Sequence, residues 1–154
     1  MATKTADAGH DFVQPRSNYN AITYMVSNYV ANGSTVSAGD VFLMAKIPHG
    51  ATIVDLKFFG RASAGGGTVF NLGTTTSASL FGPVTISATH QFIAVGQTAG
   101  TSATQQMPFL VSLSDDATPR HITLALTVAT ATSPTATSSF GLMVGYLMPG
   151  EAGP

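Results

Sequence analysis

The chain has 154 residues, and six Lys and Arg against seven Asp and Glu leave a formal charge of −1. Charged residues make up only 8%, against roughly 25% in an average soluble domain. No Lys/Arg stripe exists to displace counterions from a nucleic-acid backbone, and 44% apolar residues with almost no net charge is the opposite of a disordered composition.

The length suits one domain. Cysteine is absent, which removes disulfides, thiolate metal sites and a cysteine nucleophile. Residues 1–11 lack the apolar stretch of a secretory signal. No apolar run approaches the roughly 20 residues of a membrane helix. The expectation is a soluble chain, made in the cytoplasm and not spanning a membrane. Ala, Thr, Gly and Ser together supply 72 of the 154 residues, and there is a single Glu. Thr favours strands while Gly and Ser favour turns, so the composition points to an all-β domain.

Residues 1–18 show no periodicity. They form either an extended arm ending near Pro15-Arg16 or a disordered tail; the apolar pair Phe12-Val13 argues for docking on something. From Asn20 a period of two begins, with Ile22, Tyr24, Val26 and Val30 as the inward row and Thr23, Ser27 and Tyr29 opposite. Asn32-Gly33 signals a hairpin turn, since both residues tolerate positive φ. Val41, Leu43, Ala45 and Ile47 make the next inward row, with Phe42, Met44 and Lys46 outside. Pro48-His49-Gly50 turns the chain into a strand over 52–59 carrying Val54, Leu56 and Phe58 on one side.

After the loop at 60–67, shorter strands follow over 68–72, 84–86 and 91–95, with Gly82-Pro83 as a break. Phe109, Val111 and Leu113 alternate ahead of a turn at Asp115-Asp116. Ile122, Leu124, Leu126 and Val128 give the cleanest alternation, and Phe140, Leu142, Val144 and Tyr146 close the domain. This spacing predicts an antiparallel β-sandwich, jelly-roll-like, of about eight strands with an extended N-terminal arm. The units are an arm at 1–18, the sandwich at 19–149 and a short tail at 150–154.

Chemistry-bearing patterns are thin. His10, His49, His90 and His121 never stand at metal-ligand spacing. Gly65-Gly66-Gly67 is followed by Thr68-Val69-Phe70, a strand, where a phosphate loop needs Lys and a helix. Asp115-Asp116 supplies too few oxygens for calcium. No G-x-S-x-G elbow is present, and six Asp with one Glu and no Trp make a poor sugar-cleaving cleft. The expectation is a non-enzymatic protein with no catalytic residue, cofactor or metal. A strand-rich surface with three lysines leaves its sheet edges unguarded. Interfaces are depleted of Lys, Glu and Asp, so the composition suits a chain that buries surface against copies of itself or a partner lattice.

The segment Lys46-Ile47-Pro48-His49-Gly50-Ala51-Thr52-Ile53-Val54-Asp55-Leu56 resembles a strand-turn-strand of small virion proteins of tailed bacteriophages. In those proteins a Gly-rich loop and an Asp/Asn-Leu-Gly-Thr turn follow; here the turn is Asn71-Leu72-Gly73-Thr74. The strands over 122–128 and 140–146 look like that family's C-terminal hairpin, and the likeness covers residues 41 to 147. It implies a decoration (cement) protein, a homotrimer on the outer capsid surface at local three-fold positions, bound to the major capsid protein and stabilising the shell by bridging capsomers. The arm lies outside the likeness. The docking argument assigns Phe12, Val13, Pro15 and Arg16 to capsid contact. The alternatives are a tail, neck or head-fibre component and, in another class, a carbohydrate-binding module for host attachment. The last predicts surface aromatics in a chain with no Trp and 8% aromatic residues.

Overall fold

Alternating segments become strands throughout the residues that the structure, a computed structural model, describes: 1–5, 22–30, 36–61, 68–86, 91–94, 108–112, 120–131 and 139–148. Ten strands lie among them: β1 (Thr3–Thr5), β2 (Thr23–Val30), β3 (Val41–Pro48), β4 (Thr52–Arg61), β5 (Thr68–Thr74), β6 (Gly82–Ile86), β7 (Gln91–Ala94), β8 (Phe109–Leu110), β9 (His121–Thr130) and β10 (Ser139–Leu147). There is no helix among the described residues.

Sheet A has the order β1-β3-β9-β5-β6, and sheet B the order β2-β10-β4-β7 with β8 also on β4. All pairings are antiparallel except β1 with β3. Because β7 pairs Lys57 to Gly60 and β8 pairs Thr52 and Ile53, the two short segments share one edge of β4. With β1 and β8 set aside, the other eight strands interleave in jelly-roll order, two Greek keys closed into a sandwich. The expected fold class is what the chain adopts.

That topology revises several local expectations. Successive strands mostly change sheets, and only β5 and β6 are both consecutive and paired. The Asn32-Gly33 signal therefore makes no hairpin, since β2 and β3 lie in opposite sheets; the turn itself falls outside the described residues. The same holds for the C-terminal hairpin, because β9 and β10 lie in different sheets. Asn71-Leu72-Gly73-Thr74 is the end of β5, and the turn begins after it, where Thr74 Oγ1 accepts the Ser77 N–H at 3.0 Å. Pro48-His49-Gly50 does turn the chain, with Gly50 at φ 81°, a conformation that a Cβ disfavours.

The core lies between the sheets. Phe42 and Phe70 enter from sheet A, Tyr29, Phe58 and Phe140 from sheet B. Their rings form a chain across the interface, with centroids 4.8 Å apart for Phe42–Phe140, 4.8 Å for Phe70–Phe140 and 5.6 Å for Phe58–Phe70. These separations are in the attractive range for aromatic pairs, and each fully buried Phe contributes about 1.5–3 kcal/mol from burial. The row Phe140, Leu142, Val144 and Tyr146 faces inward as expected, as do Leu124, Leu126 and Val128.

Three rows differ from expectation in phase. On β3, Met44 is an extra residue between the Leu43–Ala125 and Ala45–Leu124 pairs. A bulge of this kind turns the strand over, so Phe42 and Met44 point inward before it while Ala45 and Ile47 do so after it. On β4, Ile53 takes the place expected of Val54, because the register to β10 shifts between Gly145 and Tyr146. The whole of β2 is inverted: Ile22, Tyr24, Val26 and Val30 are exposed, while Met25, Ser27 and Tyr29 turn inward. Tyr29 decides this, since its ring lies 4.7 Å from Phe42 and 5.3 Å from Phe140.

Candidate interaction surface

The residues assigned to capsid contact, Phe12, Val13, Pro15 and Arg16, lie outside the described residues, as do His10, His90, Gly65-Gly66-Gly67 and Asp115-Asp116. Of the first eighteen positions, 1–5 are described, and β1 adds as a strand to the chain's own sheet, with Thr3, Lys4 and Thr5 opposite Val41, Phe42 and Leu43. Asp40 holds it there. This buried carboxylate accepts the Ala2 N–H on Oδ1 and the Ser37 N–H on Oδ2, each at 3.0 Å, while the Val41 N–H donates to the Ala2 carbonyl at 2.8 Å. A carboxylate that takes two backbone N–H groups satisfies donors a sheet edge leaves over.

The segments carrying His49 and His121 adjoin at one end of the sandwich, where the His49 backbone N–H donates to the Arg120 carbonyl at 3.1 Å and His121 stands opposite Pro48. Burial, and then the nearby Lys46, holds the His121 imidazole below its ordinary pKa. No group of three or more His, Cys, Asp or Glu able to hold a metal occurs among the described residues.

The outer face of sheet B carries the most distinctive chemistry. On β10 the outward positions are Gly141, Met143 and Gly145, flanked in register by Asn28, Val26 and Tyr24 of β2 and by Phe59, Lys57 and Asp55 of β4. A Cβ on Gly145 would stand 2.7 Å from Tyr24 Cε1 and 3.2 Å from Asp55 Cβ; one on Gly141 would collide with the Phe59 ring and the Ser27 carbonyl oxygen. Two aromatic rings therefore lie across two glycines. Glycine inside a strand offers nothing of its own to pack, and an aromatic neighbour laid over it restores the lost contact.

Beside this pavement, Lys57 Nζ and Asp55 Oδ2 are 2.7 Å apart, and the hydrogen bond that the ammonium donates to this carboxylate raises the Lys57 pKa. Asp55 Oδ1 is buried without a hydrogen-bond partner. Tyr24 and Val26 are 53% and 58% exposed, and Ile22 and Val30 extend the same row. The face thus sets exposed apolar side chains beside Asn28 and one ion pair, lies flat over its glycines, and has Asp55 and Lys57 neutralising each other. Sequence reasoning missed it by placing the β2 row in the core. The available signal was Gly141 and Gly145, two residues on one side of a strand whose other side is a complete apolar row.

No family description matches the sequence, and no curated protein does. Two solved structures share the fold. A chain from the capsid of Ralstonia phage GP4 superposes with a TM-score of 0.69 at 15% identity, covering 95% of this chain and 97% of that one. A chain from the capsid asymmetric unit of cyanophage Pam1 superposes with a TM-score of 0.54 at 16% identity, covering 84% of each. The likeness extends over nearly the whole of this jelly roll, so the chain is similar in architecture and length to a component found in a phage capsid.

Proposed function

We propose that this chain is a structural protein of a bacteriophage head, one that binds the outer surface of the capsid and stabilises it by bridging capsomers. The observation that carries this reading is the near end-to-end likeness to a chain of about the same length from a phage capsid. A second support is physical. Sheet B presents exposed Tyr24 and Val26 beside a self-neutralised ion pair, and apolar, uncharged surface of this kind suits burial against protein. The role is that of a decoration protein, non-enzymatic, located on the virion, and partnered by the major capsid protein and by its own copies as a homotrimer. Closed cyclic assembly followed by many modest contacts with a lattice adds stability through avidity. Phe12, Val13, Pro15 and Arg16 in the arm are the residues proposed to reach the shell.

The test is to count copies in purified particles and to compare heat resistance with and without the protein. A decoration protein appears in hundreds of copies per particle, is reached by antibodies on intact heads, and raises the temperature of genome release. A handful of copies assigns the chain to a neck, tail or fibre position; absence from particles overturns the reading. Phe12→Ser with Arg16→Ala lowers occupancy on heads if the arm makes the contact, and leaves it unchanged if it does not.

A further inference from the structure

Among the described residues, four edges bound the two sheets: β1 and β6 in sheet A, β2 and the β7/β8 pair in sheet B. Three of them are poor templates for another strand. β1 has three residues, β7 four and β8 two. β6 has five and includes Pro83, which lacks an N–H to donate. The fourth is different. β2 runs for eight residues, Thr23–Val30, without a Lys, Arg, Asp, Glu or Pro, so it lacks the charges and the proline that keep sheet edges apart. Among the described residues no strand occupies its outer edge, and its outward row is exposed and, apart from Asn28, apolar.

We propose that β2 is a self-association edge, at which two copies pair their β2 strands antiparallel about a two-fold axis and join their B sheets into one continuous sheet. The occupant is a second copy because the edge of matching length and chemistry on this molecule is β2 itself, and a two-fold axis between neighbouring strands makes them antiparallel. Residues directly opposite in such a pair share a face, which sets Tyr24 and Val26 of one copy beside the outward row of the other. Charge permits the contact: β2 carries none, and Asp55 and Lys57 on the same face of β4 neutralise each other at 2.7 Å.

Size sets the strength. Eight residues span roughly 26 Å, and an edge of that length buries on the order of 800 Å² in total, below the roughly 1,200–2,000 Å² of stable interfaces. The pairing is concentration-dependent, and most effective between copies held close together on a common surface.

Sedimentation of the purified full chain up to millimolar loading tests this, with Val26→Lys placing like charges across the two-fold axis and Thr85→Lys on β6 as the control. Wild type doubles its mass with concentration; V26K moves the midpoint about tenfold or more to higher concentration, and T85K leaves it in place. If a three-fold assembly also forms, V26K removes the doubling and keeps the trimer. Because the chain has no cysteine, Val26→Cys reports geometry directly, by forming a disulfide-linked dimer on oxidation while Thr85→Cys does not. The proposal is overturned if V26K associates as wild type does, if Thr85→Cys cross-links as readily as Val26→Cys, or if the chain never doubles. None of these measurements involves a phage particle, so they stand apart from the virion assignment.

Discussion

β2 and β10 are neighbours in one sheet and look alike along the chain, each an alternation of apolar and small or polar residues, yet they turn opposite sides to the core. The apolar row of β10, Phe140 to Tyr146, is buried; that of β2, Ile22 to Val30, faces out. The difference lies in the second row. Between Phe140 and Tyr146 it holds Gly141, Met143 and Gly145 on β10, whereas on β2 it holds Met25 and Tyr29, and Tyr29 completes the aromatic chain with Phe42 and Phe140. Period two specifies a strand, and the better partner across the sandwich specifies its phase.

Substitutions in these two strands put that contrast at risk. Phe140 touches rings from both sheets, so Phe140→Ala is expected to cost about 3–5 kcal/mol in a denaturant titration. That is a large part of the roughly 5–15 kcal/mol holding a typical domain. A small loss there means that the inter-sheet cluster is not what sets the phase.

Next come the two glycines of β10. Gly141→Ala meets a backbone carbonyl that has little room to move, and should cost about 1–3 kcal/mol. Gly145→Ala meets the half-exposed Tyr24 ring, which can swing aside, and should cost less. Equal costs at the two positions mean that the rings do not lie over the glycines as described. Ser27 then probes the inward row of β2. Its hydroxyl is buried without a partner, so Ser27→Ala is expected to be neutral or stabilising by up to about 1 kcal/mol; a clear loss in thermal unfolding reveals a hydrogen bond there. Smallest is Val26→Thr on the outward row, within about 0.5 kcal/mol of wild type. A loss as large as that of a core valine restores the inward assignment of that row.

Much of the fold was legible in residue order. The positions of nearly all the strands, the turn at Pro48-His49-Gly50 and the buried rows of β9 and β10 all follow from alternation bounded by Gly, Pro and Asn. Bulges were not legible. One extra residue at Met44 or Val54 inverts every side chain beyond it, and nothing local marks Met44 as the extra one, because its neighbours are apolar on both sides. The candidate surface was hidden for the same reason, since a row of Ile, Tyr and Val has the same appearance whether it faces a core or a partner.

β1 shows the limit most plainly. Thr3-Lys4-Thr5 has no apolar pattern; it is a strand because β3 offers an open edge and Asp40, thirty-eight residues from Ala2, offers a carboxylate. Taken alone, the order of amino acids determined that this chain is strand-built, poor in charge and lacking any patterned catalytic or metal motif, because propensity and period act over a few neighbouring residues. Which sheet each strand joins and which side of β2 is wet were decided only by tertiary structure, because those depend on contacts between residues far apart in the chain.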